Sequence, residues 1–130
     1  MAAPRFVITT ADGPIGWSAL EGGDAREGTV HGRFYPDEAY AAVQPVFRAV
    51  WNVGNDVPRE LYEVIGMLEL RAETEAGEAF SESVGIVDPR DEWPDERPRV
   101  EVKVATREQY KRLFPDQLRA YFGEEGEAST

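Results

Sequence analysis

Residues 32–40 constrain the fold more than any other stretch, because a strand pattern stops there and a helix pattern begins. Pro36 has no backbone N–H, so it ends the hydrogen-bonded ladder that residues 30–35 would otherwise continue. Asp37 is a residue type that caps helix N-termini, and the carboxylate of Glu38 suits the positive end of a helix. The apolar residues that follow at helical spacing are Tyr40, Val43, Phe47, Val50 and Trp51. The stretch therefore predicts a strand followed by an amphipathic helix that packs on it.

One residue, Pro45, conflicts with this helix. A proline inside a helix removes the bond to the carbonyl of Ala41 and typically costs about 3 kcal/mol. The chain can respond with one kinked helix or with two short helices in line. Because the apolar spacing continues past the proline, the sequence favours a kinked single helix from Asp37 to about Asn52.

Six runs of residues have the alternation, or the β-branched and aromatic content, that is typical of strands. The predicted strands are residues 5–10, 15–19, 29–35, 68–75, 79–87 and 99–105. Turn signals between the first three indicate an antiparallel meander. In the third strand, Val30, Gly32 and Phe34 share the side expected to face the helix, so His31 and Arg33 lie on the opposite side.

The sequence indicates the later helices with unequal clarity. Residues 58–65 fit a helix or a strand, and we favour a short helix before the strand at 68–75. Thr106 and Gln109 have capping-box spacing, in which each side chain satisfies the other residue's backbone N–H. Pro115 is expected to break or restart the helix that follows.

The order of elements is βββα(α)βββα, which predicts the α+β class. We expect one antiparallel sheet of about six strands, with two main amphipathic helices packed on one face. Residues 1–123 are expected to form a single globular domain, and residues 124–130 a short, acidic, disordered tail.

Charge and composition limit the possible functions. The 130-residue chain has 25 Asp and Glu against 14 Lys and Arg, which gives a net charge of −11. This acidity argues against direct binding to nucleic acid or to an anionic membrane, and it permits a basic protein partner. A requirement for solubility in a bacterial cytoplasm, or in a cytoplasm of high salt concentration, explains the acidity as well as a basic partner does. The lack of cysteine and of an apolar leader makes a cytoplasmic location the expectation.

Catalytic and metal-binding patterns are sparse. One histidine and no cysteine argue against a zinc site, and the acidic run that begins at Asp88 lacks the spacing of a calcium loop. No glycine-rich loop has phosphate-binding spacing. His31 and Ser18 are the one hydroxyl–imidazole pair that adjacent strands would bring together, but Ser18 lacks the context of a nucleophile elbow. We therefore expect a protein that is not an enzyme, with no cofactor and no metal.

A loop around Trp93 is the first candidate for partner binding. The tryptophan lies among Asp91, Glu92 and Asp95 in a proline-rich stretch, and Trp is enriched at interface hot spots. The same ring can instead fold back over the sheet and close the core. Both interpretations stay open at this point.

A row of charges on the predicted strand at 68–75 is the second candidate. Glu69, Arg71 and Glu73 alternate on its polar side, with side chains about 6.8 Å apart. Carboxylates at that spacing can imitate nucleic-acid phosphates toward a basic protein. An ordinary solvated strand with charges that guard a sheet edge is the competing interpretation, and Arg71 interrupts the row.

The leading hypothesis is a non-catalytic, acidic protein-interaction domain, such as an inhibitor or immunity-type partner of a basic protein. One alternative is a domain that binds a small anionic ligand, or a minor enzyme, using His31, Arg33 and Tyr35. Another is a structural or oligomerising domain with Pro14 and Trp17 near an exposed sheet edge. The sequence leaves the oligomeric state open.

Overall fold

The computed structural model of the protein describes residues 4–53, 57–88 and 98–119. Its strands are β1 (Phe6–Thr10), β2 (Gly13–Ser18), β3 (Gly22–Asp24), β4 (Thr29–Arg33), β5 (Tyr35–Pro36), β6 (Arg71–Thr74), β7 (Ser81–Val87) and β8 (Arg99–Val104). Its helices are a 3-10 helix (Glu38–Ala42), α1 (Gln44–Val53), α2 (Arg59–Leu68) and α3 (Arg107–Leu113). The predicted α+β class is confirmed.

The prediction of one six-stranded sheet is wrong, because the described strands form two antiparallel sheets. The first sheet has the order β5-β2-β1-β6, and the second has the order β3-β4-β8-β7. The chain leaves the first sheet at Leu20, a buried residue with a φ of 47°, and returns at Phe34. The predicted meander is therefore broken, since β2 pairs with β1 and β5, whereas β4 pairs with β3 and β8.

The two sheets and the helices share one core. The buried apolar residues are Phe6, Ile8, Ile15, Leu20, Val30, Phe34, Tyr40, Phe47, Ala72, Phe80, Ile86, Val100, Val102, Val104, Tyr110 and Phe114. Each sheet thus covers the inner side of the other. The helices therefore do not have to cover one whole face of a single sheet, as the prediction required. Helix α3 contacts β8, and the ring of Phe114, the residue after α3, lies 5.0 Å from the ring of Phe6 in β1, so this part of the chain packs across both sheets.

The close approach of the sheets explains Gly32. A Cβ atom at this position would lie 2.8 Å from the Ser18 hydroxyl oxygen and 2.5 Å from a carboxylate oxygen of Glu21. Glycine, which has no Cβ atom, is therefore the residue that fits here without moving β2 or the residues after it. The predicted alternation in β4 is confirmed, since Val30, Gly32 and the adjoining Phe34 are buried.

The helix boundary at Asp37 is confirmed, but the kinked single helix is wrong. The Asp37 carboxylate accepts a hydrogen bond from the Ala39 N–H at 2.9 Å. The chain then forms the 3-10 helix and, separately, α1, in which Pro45 is the second residue. The N–H groups of a first helical turn have no partner in the helix, so proline costs little there.

The ambiguous stretch at 58–65 is helical and belongs to α2, which continues to Leu68. Glu69 then adopts a left-handed conformation with a φ of 53° and ends the helix. The strand expected from residue 68 therefore begins at Arg71, as β6. After one bridge between Glu73 and Ala79, β6 and β7 separate into different sheets.

The predicted capping box at α3 is half confirmed. The Thr106 hydroxyl accepts from the Gln109 N–H at 3.1 Å, as expected. The side-chain oxygen of Gln109 accepts from the Thr106 hydroxyl at 3.2 Å instead of from the Thr106 N–H, and its amide nitrogen donates to Glu78 and to the carbonyl of Ala79. Residues 115–119 are helical again, so Pro115 restarts the helix. The predicted tail at 124–130 lies outside the described residues, and no helix within them has the length and apolar character to span a bilayer.

Candidate interaction surfaces

The loop predicted to bind a partner lies outside the described residues, including Trp93, Asp91, Glu92 and Asp95. The residues that flank it are described. Asp88, which follows β7, is 2% exposed. On the far side, the carbonyl of Pro98 accepts a hydrogen bond from the Phe34 N–H at 2.9 Å.

Asp88 is held inside the protein by a polar cluster. One carboxylate oxygen accepts from the Tyr40 hydroxyl at 2.8 Å and from the Gln44 amide at 3.0 Å. The other lies 3.5 Å from the Nε atom of Arg48. Burial, and then the hydrogen bond to Asp88, raise the pKa of Tyr40 well above its ordinary value. The cluster joins the end of β7 to the first helices and keeps a compensated charge away from the surface.

The carboxylates of Glu69 and Glu73 do share a surface, although Glu69 is not on the strand. Both line an open groove of about 460 Å³ together with Asp12 and Arg71. We call this the acidic groove, since its charged lining is three carboxylates and one guanidinium. The groove adjoins the end of α2, where the Leu68 carbonyl accepts from the Ala11 N–H at 2.9 Å.

Helix α2 has exposed apolar side chains that the sequence pattern did not predict. None of its residues is buried, and the exposed fractions are 61% for Tyr62, 40% for Val64 and 78% for Met67. Val64 and Met67 are three residues apart, so they are neighbours on one side of the helix, next to Glu60 and Glu63. The signal in the sequence was that Tyr62 and Met67 fall outside the stripe that packs on the core. The residues of α2 that pack on the core are Ile65 and Leu68, and Leu61 beside them is half-buried.

The residues proposed for the alternative ligand site, His31, Arg33 and Tyr35, take part in two separate contacts. The Arg33 guanidinium lies over the Tyr35 ring, 5.1 Å from its centroid. The His31 Nδ1 atom instead lies 3.4 Å from a terminal nitrogen of Arg99, in the second sheet. The three predicted residues therefore do not converge on one ligand-sized space.

The Arg33–Tyr35 contact is part of a longer stack. The ring of Tyr35 stacks on that of Trp17, with centroids 4.2 Å apart, and the Arg5 guanidinium lies 4.3 Å from the Trp17 centroid. We call these four residues the arginine–aromatic stack. The sequence does not predict that Trp17 and Arg5 belong to this stack. The pairing of β2 with β5 forms only after the chain has passed through β3 and β4 in the second sheet. Trp17 also lies inside the first sheet, not at the edge expected for it.

The one hydroxyl–imidazole pair considered for catalysis is not assembled. Ser18 is completely buried, and its hydroxyl oxygen accepts from the Leu20 N–H at 3.0 Å. His31 lies on the opposite side of β4 from Gly32, the residue that Ser18 approaches. Within residues 4–53, 57–88 and 98–119, no group of three or more carboxylate or imidazole side chains is placed to hold a metal ion.

Comparison with known protein families, with curated proteins and with solved structures finds no match for this chain.

Proposed function

We propose that this protein is a non-catalytic interaction domain that binds a basic segment of a partner protein on the outer side of α2. The observation that carries the proposal is the exposure of Val64 and Met67 beside Glu60 and Glu63. An apolar centre with carboxylates around it fits a partner segment that has apolar anchors and flanking Lys or Arg.

The apolar side chains supply the affinity in this proposal. Fully burying one side chain such as Val or Met stabilises a complex by about 1.5–3 kcal/mol. Methionine is flexible and polarizable, so Met67 can adapt to a partner's surface. Solubility would favour polar residues at such exposed positions, and the chain has placed Tyr62, Val64 and Met67 there instead.

The carboxylates supply attraction at a distance. With a net charge of −11, the protein draws a basic partner toward it and speeds their encounter. The acidic groove extends the negative surface from the end of α2, so Glu69 and Glu73 retain a role in attracting the partner. An inhibitor or immunity-type partner of a basic protein, acting in the cytoplasm, is the role that fits these properties.

The alternative of a small anionic ligand at His31, Arg33 and Tyr35 has weaker support. The Tyr35 ring is already stacked on Trp17, and His31 contacts Arg99 instead of Arg33 or Tyr35. A surface shared with a macromolecule suits an exposed stack better than a compact ligand does.

Selection from a library of random peptides about 12 residues long tests the proposal. Peptides enriched on the wild-type protein are expected to combine Lys or Arg with apolar anchors. Their affinity should fall about tenfold or more in Val64→Ser/Met67→Ser, because two buried side chains are lost. Glu60→Gln/Glu63→Gln should weaken binding mainly at low salt.

The matched control is Glu27→Gln/Glu101→Gln, which removes the same charge from exposed positions away from α2. It is expected to bind the selected peptides nearly as well as the wild type. Enrichment of peptides without basic residues would contradict the proposal. Equal affinity for the wild type and the Val64→Ser/Met67→Ser variant would contradict it as well.

A further inference from the structure

The outer side of the first sheet carries a row of residues that crosses all four strands. Tyr35 pairs with Trp17, Trp17 with Val7, and Val7 with Glu73. Because paired residues share one side of a sheet, the four side chains lie side by side, on the side opposite the buried Phe6. Tyr35 is exposed and the other three are half-buried, so the row is open to a partner.

Charge is separated along this row. Arg33 lies over the Tyr35 ring at one end of the row, and Arg5, which precedes β1, lies over the neighbouring Trp17 ring. Neither guanidinium forms an ion pair with a described residue. Glu73 lies at the other end, where it lines the acidic groove with Asp12, Glu69 and Arg71. Three strand spacings, about 14 Å, separate the Tyr35 end from Glu73. The two side chains in the middle of the row, Val7 and Trp17, are apolar, and the Arg5 guanidinium lies over the Trp17 ring.

We propose that this side of the first sheet is the interface of a homodimer with twofold symmetry. A twofold axis through the middle of the row sets the half that carries Arg33 and Arg5 in one copy against the half that carries Glu73 and the acidic groove in the other, and the reverse contact follows by symmetry. The aromatic rings hold Arg5 and Arg33 in place, so little side-chain entropy is lost on docking. Apolar residues at the centre and charges at the rim match the usual anatomy of an interface.

A second copy is the occupant that this arrangement specifies. Any other partner would have to carry the same two charges at the same separation and in the opposite order, whereas a second copy does so by symmetry. The net charge of −11 opposes association of two copies. At about 0.15 M salt the screening length is about 8 Å, which reduces that repulsion more than it reduces close contacts.

The size of the surface sets the expected affinity. Four strands span roughly 19 Å, and five residues along a strand span roughly 17 Å. This is small for a permanent dimer, which buries about 800 Å² or more per partner. We therefore expect a reversible dimer that forms at micromolar to submillimolar concentration.

Sedimentation velocity at about 0.15 M salt, from about 10 to about 500 µM protein, measures this equilibrium. The wild type is expected to shift from monomer to dimer over that range. Arg5→Glu/Arg33→Glu and Glu69→Arg/Glu73→Arg should each stay monomeric. The second variant is less acidic than the wild type, so net repulsion alone predicts that it would associate better.

An equimolar mixture of these two variants is the most decisive sample in the experiment. All four contacts in the mixed dimer pair opposite charges, so the mixture should form dimers that neither variant forms alone. Controls with the same charge changes elsewhere are Arg26→Glu/Arg107→Glu and Glu27→Arg/Glu101→Arg, at exposed positions away from the first sheet; both should dimerise. Val64→Ser/Met67→Ser should also dimerise, which separates this proposal from the partner site on α2.

Dilution of the wild type gives a second measurement that needs no variant. The indole N–H resonance of Trp17 should shift with protein concentration, because its ring lies at the centre of the proposed interface. A wild type that stays monomeric to about 500 µM would overturn the proposal, as would a Trp17 resonance that does not move. Failure of the variant mixture to dimerise, with both variants folded by circular dichroism, would overturn it too.

Discussion

Replacing Tyr40 with Phe should destabilise the protein by about 2 kcal/mol. The Tyr40 hydroxyl donates to the buried carboxylate of Asp88 at 2.8 Å, and the tyrosine is 2% exposed. A hydrogen bond to a charged group contributes about 1.5–3 kcal/mol, and water cannot easily replace the lost donor at this depth. For a chain of this size, 2 kcal/mol lowers the melting temperature by roughly 8 °C.

Tyr110→Phe is the matched control for this measurement. Tyr110 is also buried, but its hydroxyl donates to a neutral acceptor, the Thr29 carbonyl, at 3.0 Å. The loss of that bond should cost about 1 kcal/mol. Urea denaturation of both variants, with the slope of the transition held in common, gives the two free energies of unfolding. If Tyr40→Phe costs no more than Tyr110→Phe, the buried carboxylate is not stabilised as described.

Stability should also fall at alkaline pH because of Tyr40. Its raised pKa means that the folded protein keeps the hydroxyl protonated, while the unfolded chain ionises it near pH 10. The stabilisation is therefore fully present below about pH 10 and is lost progressively above it. Tyr40→Phe should show a shallower loss than the wild type in alkaline melting curves. Parallel curves for the two proteins would contradict this assignment.

Three further predictions concern the fold. Asp37→Ala should lower the free energy of unfolding by about 1 kcal/mol, through loss of the cap, and an unchanged urea midpoint would refute it. Gly32→Ala should cost about 1–3 kcal/mol because its Cβ would meet Ser18; wild-type stability would show that the sheets can separate at no cost. A hydrogen bond from Arg112 lowers the pKa of Glu78 to about 2, so Glu78 stabilises above about pH 4.5 and loses this effect toward pH 2. Glu78→Gln should flatten that acid limb of the stability curve, and an unaltered limb would exclude the pairing.

The local features of the fold could be predicted from the sequence because short-range chemistry determines them. The cap at Asp37, the cap at Thr106 and the inward side of β4 depend on neighbouring residues, and each is found as expected. Pro45 was misjudged, because apolar spacing continues through it whether the helix kinks or begins anew. The choice depends on packing that the spacing does not encode.

The division into two sheets could not be predicted, because it depends on which distant strands pair. It requires a left-handed residue at Leu20 and a three-residue strand at 22–24, where the sequence shows only a Gly-Gly turn signal. The arginine–aromatic stack followed from that division. Arg5 and Tyr35 are far apart in the chain and meet only because β2 pairs with both β1 and β5.

Some of the candidate interaction residues could be predicted from the sequence, and others could not. The two acidic side chains Glu69 and Glu73 were found from their alternation and do line one groove, although Glu69 ends a helix instead of lying on a strand. The sequence does not predict the exposed side of α2, because the alternation that begins near Met67 indicates a strand. A helical wheel drawn through residues 59–68 would have placed Met67 away from the core.

Chemical-shift mapping shows directly whether a basic peptide binds on α2. The wild-type protein is titrated with a selected basic peptide, and the backbone amide resonances are followed. The largest shifts are expected in residues 59–69, with smaller shifts at the acidic groove and none at Arg99 or His31. Shifts concentrated on the second sheet, with α2 unaffected, would contradict the claim that this helix is the partner-binding surface.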